Sequence, residues 1–402
     1  MTDESYLGDT FPGSRFVFSL ALAVFGTSML DVLASLFLVD IARSFLGSSD
    51  NASLAIVSQM VTISSIAAVI FGVLNGFLSV KFRHKTLLLF GALCIVIGAL
   101  GCFLAPSLFW MMIFYPFDGI GTIIVVAMVF SMIGETLPLQ SRSKIIGLVT
   151  SAGIFSSAVG FAWAGFISSI AGWHSYLLLY VIPISFMAII LVYLIVPSKK
   201  IEMTVNGNNY VNSFKQVLLN KSAVACLLGN LFIIAAGIWS FFAATFWRQQ
   251  YALPIQTVGI ITLVVVLLYA IGSLTGGRMI NPCGRKRLTV ASWVGRGLLI
   301  SAIVFMPEFW SAFLTSCLAT FVGGIAVSSG HSLTLEQAPQ YRGTMMSISG
   351  VFGSIGASLG VSCGGIALGL FGFQLLGLTL GIFGLISAVI VYFFAKDPCR
   401  IK

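Results

Sequence analysis

Twelve runs of about twenty apolar residues, parted by short stretches that hold most of the charge, leave this chain one environment to fold in. A helix needs about 20 apolar residues to cross a hydrocarbon core about 30 Å thick. The runs are 16–40, 53–80, 86–105, 109–134, 145–169, 174–196, 222–246, 257–276, 288–306, 309–333, 343–370 and 373–395, numbered here as spans 1 to 12. Only 8% of the residues are charged, against about a quarter in a soluble domain. That excludes a water-soluble enzyme and a disordered chain. No window alternates apolar and polar residues as the strands of an outer-membrane barrel do. With no water to satisfy backbone groups, each run must be a helix. The expected fold is an all-α polytopic membrane protein of twelve transmembrane helices.

Charge gives the expected orientation. If the N-terminus is cytoplasmic, 18 of the 21 lysines and arginines fall on the cytoplasmic side; Arg43 and Arg248 fall outside, and Arg296 lies within span 9. Such a bias sets topology. The net charge of +9 is therefore a topology signal, and no nucleic-acid partner is implied. Both termini are expected in the cytoplasm. Met1 to Ser14 is polar and lacks the basic start of a signal peptide, so span 1 is expected to be kept. Trp110, Trp173, Trp247 and Trp310 fall at the outer ends of spans, as an aromatic belt would. The seven cysteines lie mostly in apolar runs without CxxC spacing, so they read as core residues and not as a metal or disulfide framework. No G-x-x-x-x-G-K-[ST] loop is present, which excludes an ATP-driven pump for this chain alone. The three histidines, His84, His174 and His331, form no HExxH cluster, so neither an enzyme nor a cofactor is expected.

The chain reads as two halves: an N-terminal six-helix bundle over 1–196, a cytoplasmic linker over 197–221, and a C-terminal six-helix bundle over 222–402. An internal repeat supports this. Pro138, Arg142, Gly153, Gly160, Gly165 and Gly172 around span 5 recur as Pro339, Arg342, Gly353, Gly360, Gly365 and Gly372 around span 11, and Glu135 and Glu336 each precede their Pro by three. Parallel halves with a substrate cavity between them are a transporter plan. Between spans 8 and 9 the loop runs Gly277-Arg278-Met279-Ile280-Asn281-Pro282-Cys283-Gly284-Arg285-Lys286; its partner between spans 2 and 3 is Gly76-Phe77-Leu78-Ser79-Val80-Lys81-Phe82-Arg83-His84-Lys85.

These loops resemble the G-x-x-x-D-R-x-G-R-K signature of the major facilitator superfamily, and the resemblance extends to helix number, topology, linker and repeat over the whole chain. Leu38-Val39-Asp40-Ile41-Ala42 is similar to the end of helix 1 in its twelve-helix drug–proton or sugar efflux antiporters. The resemblance implies a secondary transporter working by alternating access. It departs from the family at Val80 and Asn281, which replace the loop Asp, and at Arg83, which replaces a Gly. The family's helix 4 pattern R-x-x-Q-G-x-G is here Tyr115-Pro116-Phe117-Asp118-Gly119-Ile120-Gly121, with no Arg and with Asp in place of Gln. A latch on the cytoplasmic side must therefore use other groups, and the expected set joins Glu135 with Arg142 and Glu336 with Arg342, around a loop motif of Gly76, Lys81, Arg83, Lys85, Gly277, Gly284, Arg285 and Lys286.

An ionised side chain at the bilayer centre costs about 3 kcal/mol or more and needs a reason. Asp31 lies about 24 Å along span 1 from Arg15, and Asp118 about 12 Å down span 4 from Trp110. Thr27, Asp31 and Ser35 recur at i, i+4 and i+8, as a polar stripe would. Gln59 in span 2, Asn230 and Trp239 in span 7, and Tyr269 in span 8 are further candidates for the cavity wall. Two carboxylates in one partly desolvated cavity without a resident Arg suit proton binding or attraction of a cationic substrate. Arg296 is expected to snorkel toward the cytoplasm, His331 to be solvated near the inner surface, and Asp40 and Arg43 to form a surface pair of little worth. The leading expectation is proton-coupled export of a small amphipathic or cationic molecule across the cell membrane by a monomer. The alternatives are a uniporter or importer of a sugar or organic metabolite, or a non-transporting receptor on the same fold.

Overall fold

The computed structural model describes residues 14–136, 139–197 and 214–397. Residues 1–13, Pro138 and most of the linker lie outside them, as do the side chains of Gly76, Val80, Lys81, Glu135, Arg142, Asn281 and Arg342. Among the described residues the chain is helical, with turns and short connections and no strand. Span 1 is built of α1 (Ser14–Gly26), α2 (Met29–Leu36) and α3 (Leu38–Leu46); span 2 is α4 (Asn51–Lys81), span 3 α5 (His84–Leu104), and span 4 α6 (Leu108–Phe114) with α7 (Pro116–Thr136). Span 5 runs through α8 (Leu139–Tyr176), and span 6 continues through a π turn (Leu177–Val181) into α9 (Ile182–Ile195). A short α10 (214–219) precedes α11 (Lys221–Gly237) and α12 (Trp239–Gln250), which form span 7. Spans 8, 9 and 10 are α13 (Ile255–Cys283), α14 (Arg285–Ile303) and α15 (Phe309–Leu335); spans 11 and 12 share α16 (Arg342–Phe394).

Ten helical stretches among the described residues are long and apolar enough to cross a membrane. They correspond to the twelve expected spans. Spans 11 and 12 form one stretch, Thr344–Phe394, and span 9 carries too many basic residues to count. The repeat is structural as well as sequential. Gly172 and Gly372, 200 residues apart, both break their helix at φ of 73° and 74°. A side chain at either would strain the left-handed turn that joins spans 5 to 6 and 11 to 12. Asp50 caps α4 by accepting from the Ser53 N–H, and hydrogen bonds from Ser53 and Ser48 hold its carboxyl below the ordinary carboxylate range.

In the first six spans, 3 packs on 4, 2 on 4, and 1 on 5 and 6; in the last six, 7 packs on 11, 8 on 10, and 9 on 10 and 12. Across the two sets, span 2 meets 11, span 5 meets 8, and α2 meets α12. Small residues bring these backbones together. A Cβ on Gly259 of span 8 would lie 2.6 Å from the Phe161 carbonyl and 3.2 Å from Gly165 Cα of span 5. Gly365 of span 11 is as close to Ser58 and Gln59 of span 2, and Thr62 Oγ1 lies 3.2 Å from Ser362 Oγ. Among the described residues these contacts lie from mid-bundle to the end that carries residues 36–59 and 247–259. Toward the opposite end, Gly134, Gly147, Gly277 and Gly350 have open space where a side chain would stand. Among the described residues the halves thus meet at the end that carries residues 36–59 and 247–259. By the charge reading, that end is the outer one.

Aromatic packing helps to close that end and corrects the expected belt. Trp110 and Trp310 are 46% and 68% exposed, as an interfacial anchor would be, but Trp173 and Trp247 are buried. Trp173 donates to Ser44 Oγ at 3.2 Å, and Trp247 packs among Phe246, Tyr251 and Phe309.

Candidate functional site

Span 1 breaks where the sequence places Gly26, Thr27 and Ser28 between α1 and α2. The Thr27 hydroxyl turns back to the Val24 carbonyl at 2.7 Å, a bond that competes with helix continuation. Three hydroxyls from other spans hold the broken segment. Thr122 donates to the Thr27 carbonyl at 3.2 Å, Tyr176 to the Met29 carbonyl at 3.1 Å, and Tyr115 to the Leu30 carbonyl at 3.4 Å. Asp31 follows directly. Every other residue of α2 is buried, whereas Asp31 is exposed.

Asp118 stands in the first turn of α7, just after Pro116. It is 3% exposed, and its Oδ1 has no hydrogen-bond partner. The charge of Asp31 acts on Asp118, and both act on Tyr115; Asp31 also acts on Tyr176. The two carboxylates and two tyrosines thus form one electrostatic group. No lysine or arginine occurs in the sequence between Arg15 and Arg43 or between Lys85 and Arg142, so neither carboxylate has a cation on its own helix.

The tyrosines were not among the expected site residues. Tyr176 directly precedes the π turn of span 6 and Tyr180 lies within it; the two rings stack at 5.3 Å, and Tyr180 donates to the Ser156 carbonyl. A π turn of this kind often marks a functional position. A Cβ on Gly160 would meet the Tyr176 oxygen at 3.1 Å, so this repeat glycine makes room for the tyrosine. The available signal was two tyrosines four residues apart in an apolar run.

The other candidates scatter. Thr27 and Ser35 are buried and bond to carbonyls of their own helix, so the polar stripe reduces to Asp31; the break at Thr27 shifts the helical phase. Gln59 donates to the Ala55 carbonyl at the seam with span 11. Asn230 is tied to Ser349 by two bonds of 3.1 Å, inside the second half. Trp239 is 3% exposed, with an unpartnered Nε1, against Phe246. Tyr269 lies within electrostatic range of Arg296. Arg296 does not snorkel: it is buried, with its guanidinium against Gly237 and Gly323. Those two glycines leave a space that draws the side chain inward. His331 is exposed, as expected.

The loop motif serves each half separately. Lys85 Nζ donates to the Tyr193 carbonyl at 2.8 Å and lies over that ring, and Lys286 lies over the Tyr392 ring at 5.7 Å in the second half. Gly284 takes φ 81° to start α14, and the Lys286 N–H donates to Asp397. Arg83 is exposed. Arg285 bonds Ser332 and stands 4.0 Å from Glu336. Glu336 therefore has a partner in its own half at the start of α14. The side chains of Glu135, Arg142 and Arg342, which the expected cytoplasmic ion pairs need, lie outside the described residues.

The strongest ion pair stands at the closed end. Asp40 pairs with Arg248 of span 7, not with Arg43: Nη1–Oδ2 is 2.5 Å and Nη2–Oδ1 is 2.9 Å. Arg248 also donates to the Leu36 carbonyl, and Gln249 donates to the Ser49 carbonyl at 2.5 Å. Arg43 turns to Ser49 Oγ instead. The fork of a guanidinium on a carboxylate thus ties span 1 to span 7.

Comparison with known proteins agrees with this geometry. An MFS-type transporter of Bacillus subtilis (strain 168), YceJ, is 23% identical over 307 residues, which cover 76% of this chain and 78% of that protein. Multidrug resistance protein 3 of the same organism is 30% identical over 115 residues, 28% of this chain and 22% of that protein. Among solved structures, a D-xylose-proton symporter superposes with a TM-score of 0.80 at 14% identity, covering 95% of this chain and 98% of that one. A bacterial homolog to the human lysosomal transporter Spinster, in an inward-facing and unoccupied conformation, superposes with a TM-score of 0.75 at 15% identity, covering 96% of each chain. The family model described as Major Facilitator Superfamily matches residues 16–265 and 224–401. With apolar helices that pack as two sets and a family match over nearly its whole length, the chain belongs to the Major Facilitator Superfamily of multi-pass membrane transporters.

Proposed function

We propose that this transporter exports a small cationic or amphipathic molecule in exchange for protons across the cell membrane. The observation that supports the reading is the carboxylate pair. Asp31 is the exposed residue of an otherwise buried segment of span 1, and Asp118 in span 4 is buried with an oxygen unpartnered. A carboxylate held away from water takes either a proton or a cation. If the two compete for one site, inward proton movement drives outward substrate movement. Residues 1–196 and 222–402 act as the two rocking units, joined by the linker at 197–221. Loading from the cytoplasm requires the inner ends to part while the contacts at the end that carries residues 36–59 and 247–259 hold.

The test uses proteoliposomes that contain only this protein. With an imposed pH gradient, ethidium is expected to accumulate against its concentration gradient and to leak back when a protonophore is added. D-xylose is expected not to accumulate. Proton-driven xylose accumulation with no ethidium movement would replace export of a cation by the importer reading.

A further inference from the structure

The membrane interior of this sequence holds two carboxylates in its first half and one guanidinium, Arg296, in its second. Arg296 is rooted in α14, which packs on α15 and α16 at the side of the bundle. It is 9% exposed. Its guanidinium reaches the seam between spans 7 and 10. A Cβ on Gly237 would lie 2.9 Å from Nη2, and one on Gly323 would lie 3.1 Å from Nε. The guanidinium fills the space that two side chains would otherwise occupy. Gly237 is the last residue of α11, where span 7 breaks before Trp239. Tyr269 of span 8 packs on Gly324, the residue after Gly323: a Cβ on Gly324 would meet the Tyr269 carbonyl.

Among the described residues no carboxylate pairs with Arg296 and no hydrogen bond reaches it. The acidic residues of the second half, Glu308, Glu336 and Asp397, all stand at helix ends. Arg296 lies about 16 Å along α14 from Arg285, out of reach of lipid headgroups. The broken end of α11 offers it the negative pole of a helix, an interaction that only partly offsets the burial of an unpaired charge. A planar guanidinium is also the group best shaped to take a carboxylate on two bonds.

We infer that Arg296, with Tyr269 beside it, is an anion subsite for a carboxylate of the transported molecule, set in the half opposite Asp31. The substrate class is then amphoteric: a basic amine for the first half and a carboxylate for the second. A molecule of this kind bridges the two halves, so both must close on it together. The inference rests on the reading of Asp31 as the cation site.

The test compares acids with their esters on the purified full chain in nanodiscs. The probes are norfloxacin and tryptophan, each against its methyl ester, with affinity measured by calorimetry. The acids are expected to bind about ten-fold or more tighter than the esters. Arg296→Gln is expected to remove that preference while leaving ester affinity within about two-fold, and Arg296→Lys to keep part of it. Equal affinity of acid and ester for the unmodified protein, equal weakening of both by Arg296→Gln, or binding of none of the four probes would each overturn the proposal. If Arg296→Gln fails to fold, the acid–ester comparison on the unmodified protein decides alone. Failure of the Asp31 reading shows separately, as equal binding of norfloxacin and its N-acetyl derivative.

Discussion

Asp31→Asn is expected to abolish proton-driven transport, with a loss of about 100-fold or more, while the protein still folds and reaches the membrane. The amide keeps the size of the carboxylate and loses its charge, and a hydrogen bond to a charged group is worth about 1.5–3 kcal/mol. The side chain makes no bond that holds the fold: the broken segment beside it is held through backbone carbonyls by Thr122, Tyr115 and Tyr176. Thermal unfolding should therefore change little. Asp118→Asn acts differently, because Asp118 is buried where Asp31 is exposed. It is expected to move the pH optimum of transport without abolishing it. Ethidium flux over pH 5 to 9 in proteoliposomes checks both. Unchanged rate and pH profile in both variants would make the carboxylates structural.

The second large effect is expected at the opposite side of the gap. Asp40 and Arg248 are joined by two bonds, with side chains 29% and 13% exposed. Fully exposed pairs are worth about 0–1 kcal/mol; a partly shielded fork that joins the two halves should exceed that. Asp40→Asn is expected to shift the outer end toward opening by about ten-fold in population, which corresponds to about 1.4 kcal/mol. Spin labels at residues 46 and 250, in a cysteine-free background, should then show a longer distance component by double electron–electron resonance. The exchange of Asp40→Arg with Arg248→Asp should restore the short one. A distribution unmoved by Asp40→Asn would show that glycine packing between spans 5 and 8 and between spans 2 and 11 holds the closed end without the latch.

Much of this fold was legible in the sequence because the bilayer imposes it. Length and apolarity alone mark the spans, and the repeat already paired Gly172 with Gly372, although not the helix break that each makes. Asp31 and Asp118 were legible for the same reason, since a charge in hydrocarbon stands out. What stayed hidden depends on pairing between distant segments. Asp40 has Arg43 three residues away, yet its partner is Arg248, 208 residues on, and the approach of span 1, whose α3 carries Asp40, to span 7 brings them together. The polar stripe of span 1 assumed an unbroken helix, and the break at Thr27 removed it. The tyrosines passed as core residues because their hydroxyls bond to carbonyls, which carry no sequence signal. Arg296 was expected to snorkel, since its position in span 9 does not reveal the two glycines that draw it inward.

The exchange of a proton for substrate at Asp31 can be measured without a membrane. The purified protein is placed in weakly buffered detergent solution at pH 5 with a pH-sensitive dye, and ethidium is added to saturation. The unmodified protein is expected to release about one proton per molecule as the cation displaces it, and Asp31→Asn none. Ethidium binding with no proton release, or equal release from both proteins, would contradict competition at Asp31.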